Sequence, residues 1–292
     1  MISCNREKFT DELPEKEAKL LIATRAQNYD SNELPEEYAL NNLSIFLTDT
    51  SSNIITHKFV YVPYSSVDGE LPTESKLVTL PIDVSILTVK DVYVIANCDN
   101  EAAFNAVKTL DDLQALKTKK LVYPTMINTT RGLPMYGELG KVDFRKSIEI
   151  PQCIYLNRIC SKIRVRLYFA DAGWIGLRPN FILENVASFG NYSPVPAKAG
   201  ENDLVNYPAI YFEMISQQEY AGIAYIYESS VAPQLRLRFV LNGVEKEYVT
   251  DPGFPVPVRN YLYDIELTVY KPKQSASSAV QKDYALKFAF IN

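Results

Sequence analysis

Apolar and polar residues alternate with a period of two along most of this chain, the spacing of strands with one buried face. Leu43, Ile45 and Leu47 alternate with Ser44, Phe46 and Thr48; residues 59–62 form a short apolar run ended by Pro63, and 92–96 reads as a fully buried strand. The same design returns in the second half. Ile163, Val165, Leu167 and Phe169 oppose Arg164, Arg166 and Tyr168; Leu235, Leu237, Phe239 and Leu241 oppose Arg236 and Arg238. Tyr261, Tyr263, Ile265, Leu267 and Val269 make a longer strand against Asp264, Glu266 and Thr268. The arginines read as solubilising charge on a wet face and predict no anion site.

One stretch, 100–117, breaks the period. Asp99 and Asn100 are candidate caps for Phe104 and Val107, and Thr109 caps Leu110, Leu113 and Leu116, which predicts two short helices. Glu101, Asp111 and Asp112 fall in first turns, where the helix dipole favours negative charge, so these carboxylates read as structural. Pro124, Gly132, Pro134, Gly137, Gly140 and Pro151 then punctuate weak strands and predict a domain junction near 150. The expected architecture is mainly β, with antiparallel sandwich domains over 19–150 and 151–292 and a short helical insertion in the first. Residues 271–282 (KPKQSASSAVQK) read as a flexible tether. After it, 283–292 (DYALKFAFIN) alternates again, with Tyr284, Leu286, Phe288 and Phe290 on one face.

Composition narrows the function. A chain of 292 residues with 47% hydrophobic and 22% charged residues can bury two cores, which excludes wholesale disorder. Twenty Tyr and thirteen Phe suit strands with aromatic faces. The net charge is −5 and the basic residues are scattered, so nucleic acid is not an expected partner. His57 is the single histidine and reads as a loop residue; no multi-histidine metal site can be assembled around it. No phosphate loop, dinucleotide fingerprint or zinc-protease motif occurs, and neither an enzyme nor a cofactor is expected. Cys153 and Cys160, about 23 Å apart on one extended segment, should not bridge, so Cys98, Cys153 and Cys160 read as buried free thiols.

Five segments, taken in order, resemble the fimbrillin family, the FimA-type pilins of Bacteroidales that build type V fimbriae. They are YALNNLSIF at 38–46, KDVYVIAN at 90–97, GLPMYG at 132–137, LNRICSKI at 156–163 and VRNYLYDI at 258–265. The resemblance implies two transthyretin-like β-sandwiches and a lipoprotein precursor exported through the periplasm to the outer membrane. It further implies polymerisation by donor-strand exchange once a surface protease trims the N-terminal strand.

On that reading 1–18 is a leader remnant and Cys4 its lipidation site, although the residues before Cys4 fit an ordinary chain start beside a thiol equally well. Cleavage falls between Arg25 and Ala26, behind the short apolar strand KLLIATR at 19–25. The donor strand is 283–292, carried by Tyr284, Leu286, Phe288 and Phe290. Burying these four at about 1.5 to 3 kcal/mol each gives on the order of 6 to 12 kcal/mol as an upper bound. Alternatively the segment completes the chain's own second sandwich. The implied function is a structural pilin subunit of cell-surface fimbriae that supports adhesion. Its partners would be other fimbrial subunits, host or bacterial surface ligands, and the outer membrane through the lipid anchor. A tip or accessory adhesin and a surface glycan-binding lipoprotein are the alternatives.

Overall fold

The expected strands form, and they build two sandwiches joined end to end. The computed structural model describes residues 16–24, 34, 37–49, 51–62, 75–82, 89–98, 101–121, 126–128, 131–147, 151–171, 177–193, 201–241, 243–250, 254–270 and 285–291. Cys4, Arg25, Ala26, Tyr284 and the expected tether lie outside them.

The first sandwich contains β1 (Lys16–Thr24), β2 (Asn42–Thr48), β3 (Ile54–Tyr61), β4 (Ser75–Ile82) and β5 (Val89–Ala96). After these come α1 (Glu101–Asn105), α2 (Leu110–Ala115), β6 (Met135–Asp143), α3 (Phe144–Ser147) and β7 (Gln152–Arg158). Strand order is β3-β2-β5-β6-β7-β1-β4. β6 and β7 share only the pairs Met135↔Arg158 and Tyr136↔Asn157, so the sheet folds over at that corner. Leu20 and Ile22 of β1 thereby reach the same buried cluster as Leu43, Ile45, Val92 and Val94. At the opposite corner the Lys58 ammonium donates to the Thr79 carbonyl at 2.7 Å.

Two features of this half depart from the simple alternation. β2 is buried on both faces, because Phe46 lies between the core and α1, 6.3 Å from the Phe104 ring. His57 is not in a loop but in mid-strand on β3, its ring stacked 4.4 Å from Phe46. The helical reading holds: Thr109 Oγ1 accepts from the Asp112 amide at 3.1 Å, and the Asp112 carboxylate accepts from the Thr109 amide at 3.0 Å. At the end of β5, Asn97 (φ 57°) bonds Ala39, Asn41 and Leu133, and Gly132 (φ +73°) has no room for a Cβ beside it.

The second sandwich begins with β8 (Cys160–Phe169), β9 (Leu177–Glu184), the short pair β10 (Val186–Ala187) and β11 (Leu204–Val205), then β12 (Ile210–Tyr211) and β13 (Glu213–Met214). β14 (Glu219–Tyr227), β15 (Gln234–Leu241), β16 (Val244–Val249), β17 (Leu262–Tyr270) and β18 (Ala285–Ile291) complete it. A five-stranded sheet, β13-β14-β8-β17-β18, faces a four-stranded one, β12-β9-β15-β16, across Val165, Leu167, Phe181, Leu183, Leu237, Phe239, Ile265 and Leu267. Most pairings are antiparallel, but β1 runs parallel to β7 and β8 parallel to β17.

The arginines of this half are not simply solubilising charge. Arg164 and Arg166 both bond Asp264, and Arg236 bridges Glu184 and Glu247, because the strand register sets acid and base side by side.

The chain passes from one sandwich to the other at Ile159, so residues 152–158, expected in the second domain, belong to the first sheet. Cys153 and Cys160 therefore lie on strands of different sheets. Both are free thiols, with Cys160 buried and Cys153 half-buried. β1 also begins at Lys16, inside the stretch expected to be leader. The junction is continuous: Ala187, Tyr192, Tyr225 and Tyr227 join the first core, and amides of Thr118 and Leu121 donate to carbonyls of Gly190 and Ser188 at 2.9 and 2.7 Å.

Candidate functional site

The two segments singled out by the sequence are the first and last strands of the described chain, and they occupy unlike positions. β1 is not an edge strand. It pairs antiparallel with β4, from Lys16↔Ile82 to Ala23↔Ser75, and parallel with β7, from Leu20↔Gln152 to Thr24↔Leu156. Leu20 and Ile22 are fully buried, while Leu21 and Ala23 point to the other face and are half-exposed. Every second residue thus serves the core, and both backbone edges are occupied by ladder hydrogen bonds.

β18 pairs antiparallel with β17 alone, from Asp264↔Ile291 to Tyr270↔Ala285. Among the described residues no strand lies on its other side. Its register sets Leu286, Phe288 and Phe290 opposite Val269, Leu267 and Ile265, three fully buried residues. Leu286 is partly buried against the second core.

Between β1 and β2 the chain passes through a buried carboxylate, Glu37. Glu37 Oε1 accepts from Lys162 Nζ at 2.7 Å, from the Tyr225 hydroxyl at 2.7 Å and from the Leu34 amide at 3.2 Å. Its Oε2 accepts from Arg158 Nη1 at 2.8 Å. Glu37 is 0% exposed and Lys162 4%, a depth at which carboxylates occur only when paired. Nothing in the sequence around 33–37 distinguishes Glu37 from Glu36, because its partners come from β7, β8 and β14. Burial next to this carboxylate raises the Tyr225 hydroxyl far above the usual tyrosine range and pushes the Cys160 thiol up to about 12.

Other chemistry is sparse. Among the described residues no three His, Cys, Asp or Glu side chains converge as a metal site would require, and no helix is long and apolar enough to cross a membrane. Of the exposed tyrosines, Tyr61 stands on β3, Tyr155 on β7, Tyr211 on β12 and Tyr270 at the end of β17, and Tyr261 directly precedes β17.

Residues 19–154 match the family described as Major fimbrial subunit protein (FimA). No curated protein matches the sequence. Among solved structures, the chain is similar to the tip fimbrial protein Mfa3 from Porphyromonas gingivalis with C-terminal truncation: TM-score 0.60 and 13% identity over 94% of this chain and 99% of that one. It is also similar to a fimbrial assembly protein from Parabacteroides distasonis (TM-score 0.56, 16% identity, 95% and 96% covered). A third likeness is to a putative cell adhesion protein from Bacteroides eggerthii (TM-score 0.56, 13% identity, 95% and 96% covered). At these identities the likeness is one of fold, and it extends over nearly the whole chain. The matched family is one of fimbrial subunits, and these structures add agreement in fold alone. The match over residues 19–154 agrees with the resemblance that the sequence motifs carry.

Proposed function

We propose that this chain is a structural subunit of cell-surface fimbriae that polymerises by donor-strand exchange after cleavage between Arg25 and Ala26. The observation that carries this reading is the place of β1 between β4 and β7. Removing an edge strand exposes one row of backbone groups; removing β1 would open a slot with unpaired groups on both sides and an uncovered core beneath, which only another strand can fill. Residues 283–292 have a similar alternation, with Tyr284, Leu286, Phe288 and Phe290 at one set of alternate positions and Ala285, Lys287, Ala289 and Ile291 at the other, as β1 has Leu20 and Ile22 against Lys19, Leu21 and Ala23.

Direction supports the same reading. β17 ends at Tyr270, at the pole of the second sandwich farthest from the junction, and β18 starts beside it. A C-terminal strand swung outward from that pole would enter the first sandwich of a neighbour at its own free pole and run toward that neighbour's junction. β7 and β1 run that way already. The contact is heterologous and propagates as a filament. Cys4 would carry the lipid of the precursor, the residues ahead of β1 its leader, and the outer membrane its anchorage before cleavage. Other fimbrial subunits are the partners, with adhesion ligands contacted by the assembled fibre.

A second reading, a tip or accessory adhesin, draws on the seat of β18 in its own sheet, since a subunit that keeps its last strand donates nothing. Electron microscopy of trypsin-nicked protein separates the two. The pilin reading expects fibres from the nicked chain, none from Arg25→Ala and none from nicked chain lacking 283–292. Fibres from that truncated chain would return the C-terminal strand to its own domain.

A further inference from the structure

We infer that the outer face of the four-stranded sheet in the second sandwich binds a neutral hexose unit of a glycan, through one rung of side chains: Tyr211, Asn180, Arg238 and Glu247. β12, β9, β15 and β16 set these four abreast, because Tyr211 and Arg238 both pair with Asn180 and Arg238 pairs with Glu247. Their sequence neighbours Ile210, Phe181, Phe239 and Tyr248 pack on the second core, so the rung turns away from it. Between Arg238 and Val240 the register with β9 shifts, a bulge of the kind that bends a strand. The rung lines a concavity of about 780 Å³, within the range of small-ligand sites.

A pyranose ring has an apolar face of C–H groups and a rim of hydroxyls, each both donor and acceptor. Tyr211 is 65% exposed, whereas the next ring, Phe212, lies 5.2 Å from Phe181 and serves the core. A lone exposed tyrosine is ordinary; one that ends a fixed polar rung in a concavity offers a stacking surface beside hydrogen-bonding groups. Asn180 brings an amide that donates and accepts, Arg238 brings donors and Glu247 acceptors. The last two are held in place before any ligand arrives. Arg238 Nε donates to Glu247 Oε2 at 2.7 Å, and Arg236, which donates to Glu184 at 2.9 Å, bonds the other Glu247 oxygen. Such preorganisation lowers the ordering cost of binding, and the same bonds hold the Glu247 carboxyl below its ordinary value, so it stays an acceptor. Charge sets the ligand class. In the lining, Arg238 and Lys246 are matched by Glu245 and Glu247, which leaves no surplus for a phosphate, a sialic acid or an acidic peptide. The site stands apart from strand exchange, since β18 belongs to the other sheet. On the pilin reading, contact at the poles leaves this face open, so each subunit of a fibre presents one copy and weak single sites add up; the site itself does not rest on that reading.

An array of neutral, sialylated and sulfated oligosaccharides tests this, probed with the intact, uncleaved chain coupled at high density to fluorescent beads. Neutral hexose-containing glycans should be captured, and capture should change less than about twofold between about 0.1 and 0.5 M salt. Affinity for a captured glycan, measured by nuclear magnetic resonance titration, should fall at least about tenfold in Tyr211→Ala and about tenfold in Glu247→Gln. Tyr211→Phe keeps the ring and should stay within about threefold of the wild type. Both positions are exposed, so the variants should keep the wild-type circular dichroism spectrum. No captured glycan, capture confined to sialylated or sulfated glycans, or unchanged affinity in Tyr211→Ala or Glu247→Gln would each overturn the inference. Because the chain is uncleaved, these outcomes leave the pilin reading untouched; that reading fails separately, if nicked protein forms no fibres.

Discussion

β1 and β18 are both short apolar strands at the ends of the described chain, and their alternation is nearly the same, yet they are held in opposite ways. β1 has a partner on each side and two fully buried side chains in the first core. β18 has one partner and finishes the edge of a sheet whose core is closed by β8, β14 and β17. Composition makes either strand able to fill an apolar groove; neighbours decide which can leave. An edge strand opens by losing one ladder, whereas a central strand must lose two and uncover a core in the same step. Exchange between such strands needs an irreversible event at the central one and only a fluctuation at the edge one.

Substitutions sharpen the contrast most. Ile22→Asp puts a charge at a position with no exposure, and we expect a loss of about 4 kcal/mol or more, enough to unfold the first sandwich in a urea titration followed by near-ultraviolet circular dichroism. Leu286→Asp, at a partly buried position of β18, should cost about 1 to 2 kcal/mol and leave both sandwiches folded. Equal damage from the two would break the comparison.

Next in size is the response to alkali. Burial raises the Tyr136, Tyr207 and Tyr225 hydroxyls above the ordinary tyrosine range and the Cys160 thiol to about 12. Groups held protonated in the fold contribute stability that is complete below their unfolded values, near 9.0 for the thiol and 10.0 for the phenols, and is lost as pH climbs toward the folded ones. Cys160, Tyr136 and Tyr225 belong to the first core and its junction, so thermal scans between about pH 9 and pH 12 should show the junction failing first. Cys160→Ala should flatten the lower part of that window.

The smallest effect is on the acid side. Burial lowers the pKa of His57 below 6.5, so its contribution is present above that value and is lost as pH falls through the folded one. His57 is the single histidine and stands in the first sandwich. Mild acid should therefore lower the first transition and not the second in calorimetry, and His57→Gln should remove the slope.

Local patterns were legible in the sequence wherever local physics decides the outcome. The period-two runs became β2, β8, β15 and β17, and Thr109 with Asp112 closed the capping box its spacing predicts. Long-range pairing was not legible. The parallel contact of β1 with β7 joins residues more than a hundred positions apart, and no feature of KLLIATR reports whether one or two strands will lie beside it. Glu37 is the sharper case: a carboxylate in a polar run reads as solvated until the fold brings Arg158, Lys162 and Tyr225 to it. The paired arginines of the second sandwich were assigned to the right face, but their carboxylate partners depend on register between strands, which one strand alone does not encode.

A single residue, Ile159, separates β7 from β8, and this sets how the molecule bears tension. Whatever strand occupies the slot beside β7 hands its pull to β7, β7 hands it through one covalent link to β8, and β8 shares it with the parallel β17. Pulled along the long axis, these neighbours are dragged lengthwise past one another, so all the rungs of a ladder strain together instead of parting in turn from one end. Glu37 straddles the same link. The weakest point under load is then not the hinge between the sandwiches, where a two-domain chain would ordinarily give, but the ladders on either side of it.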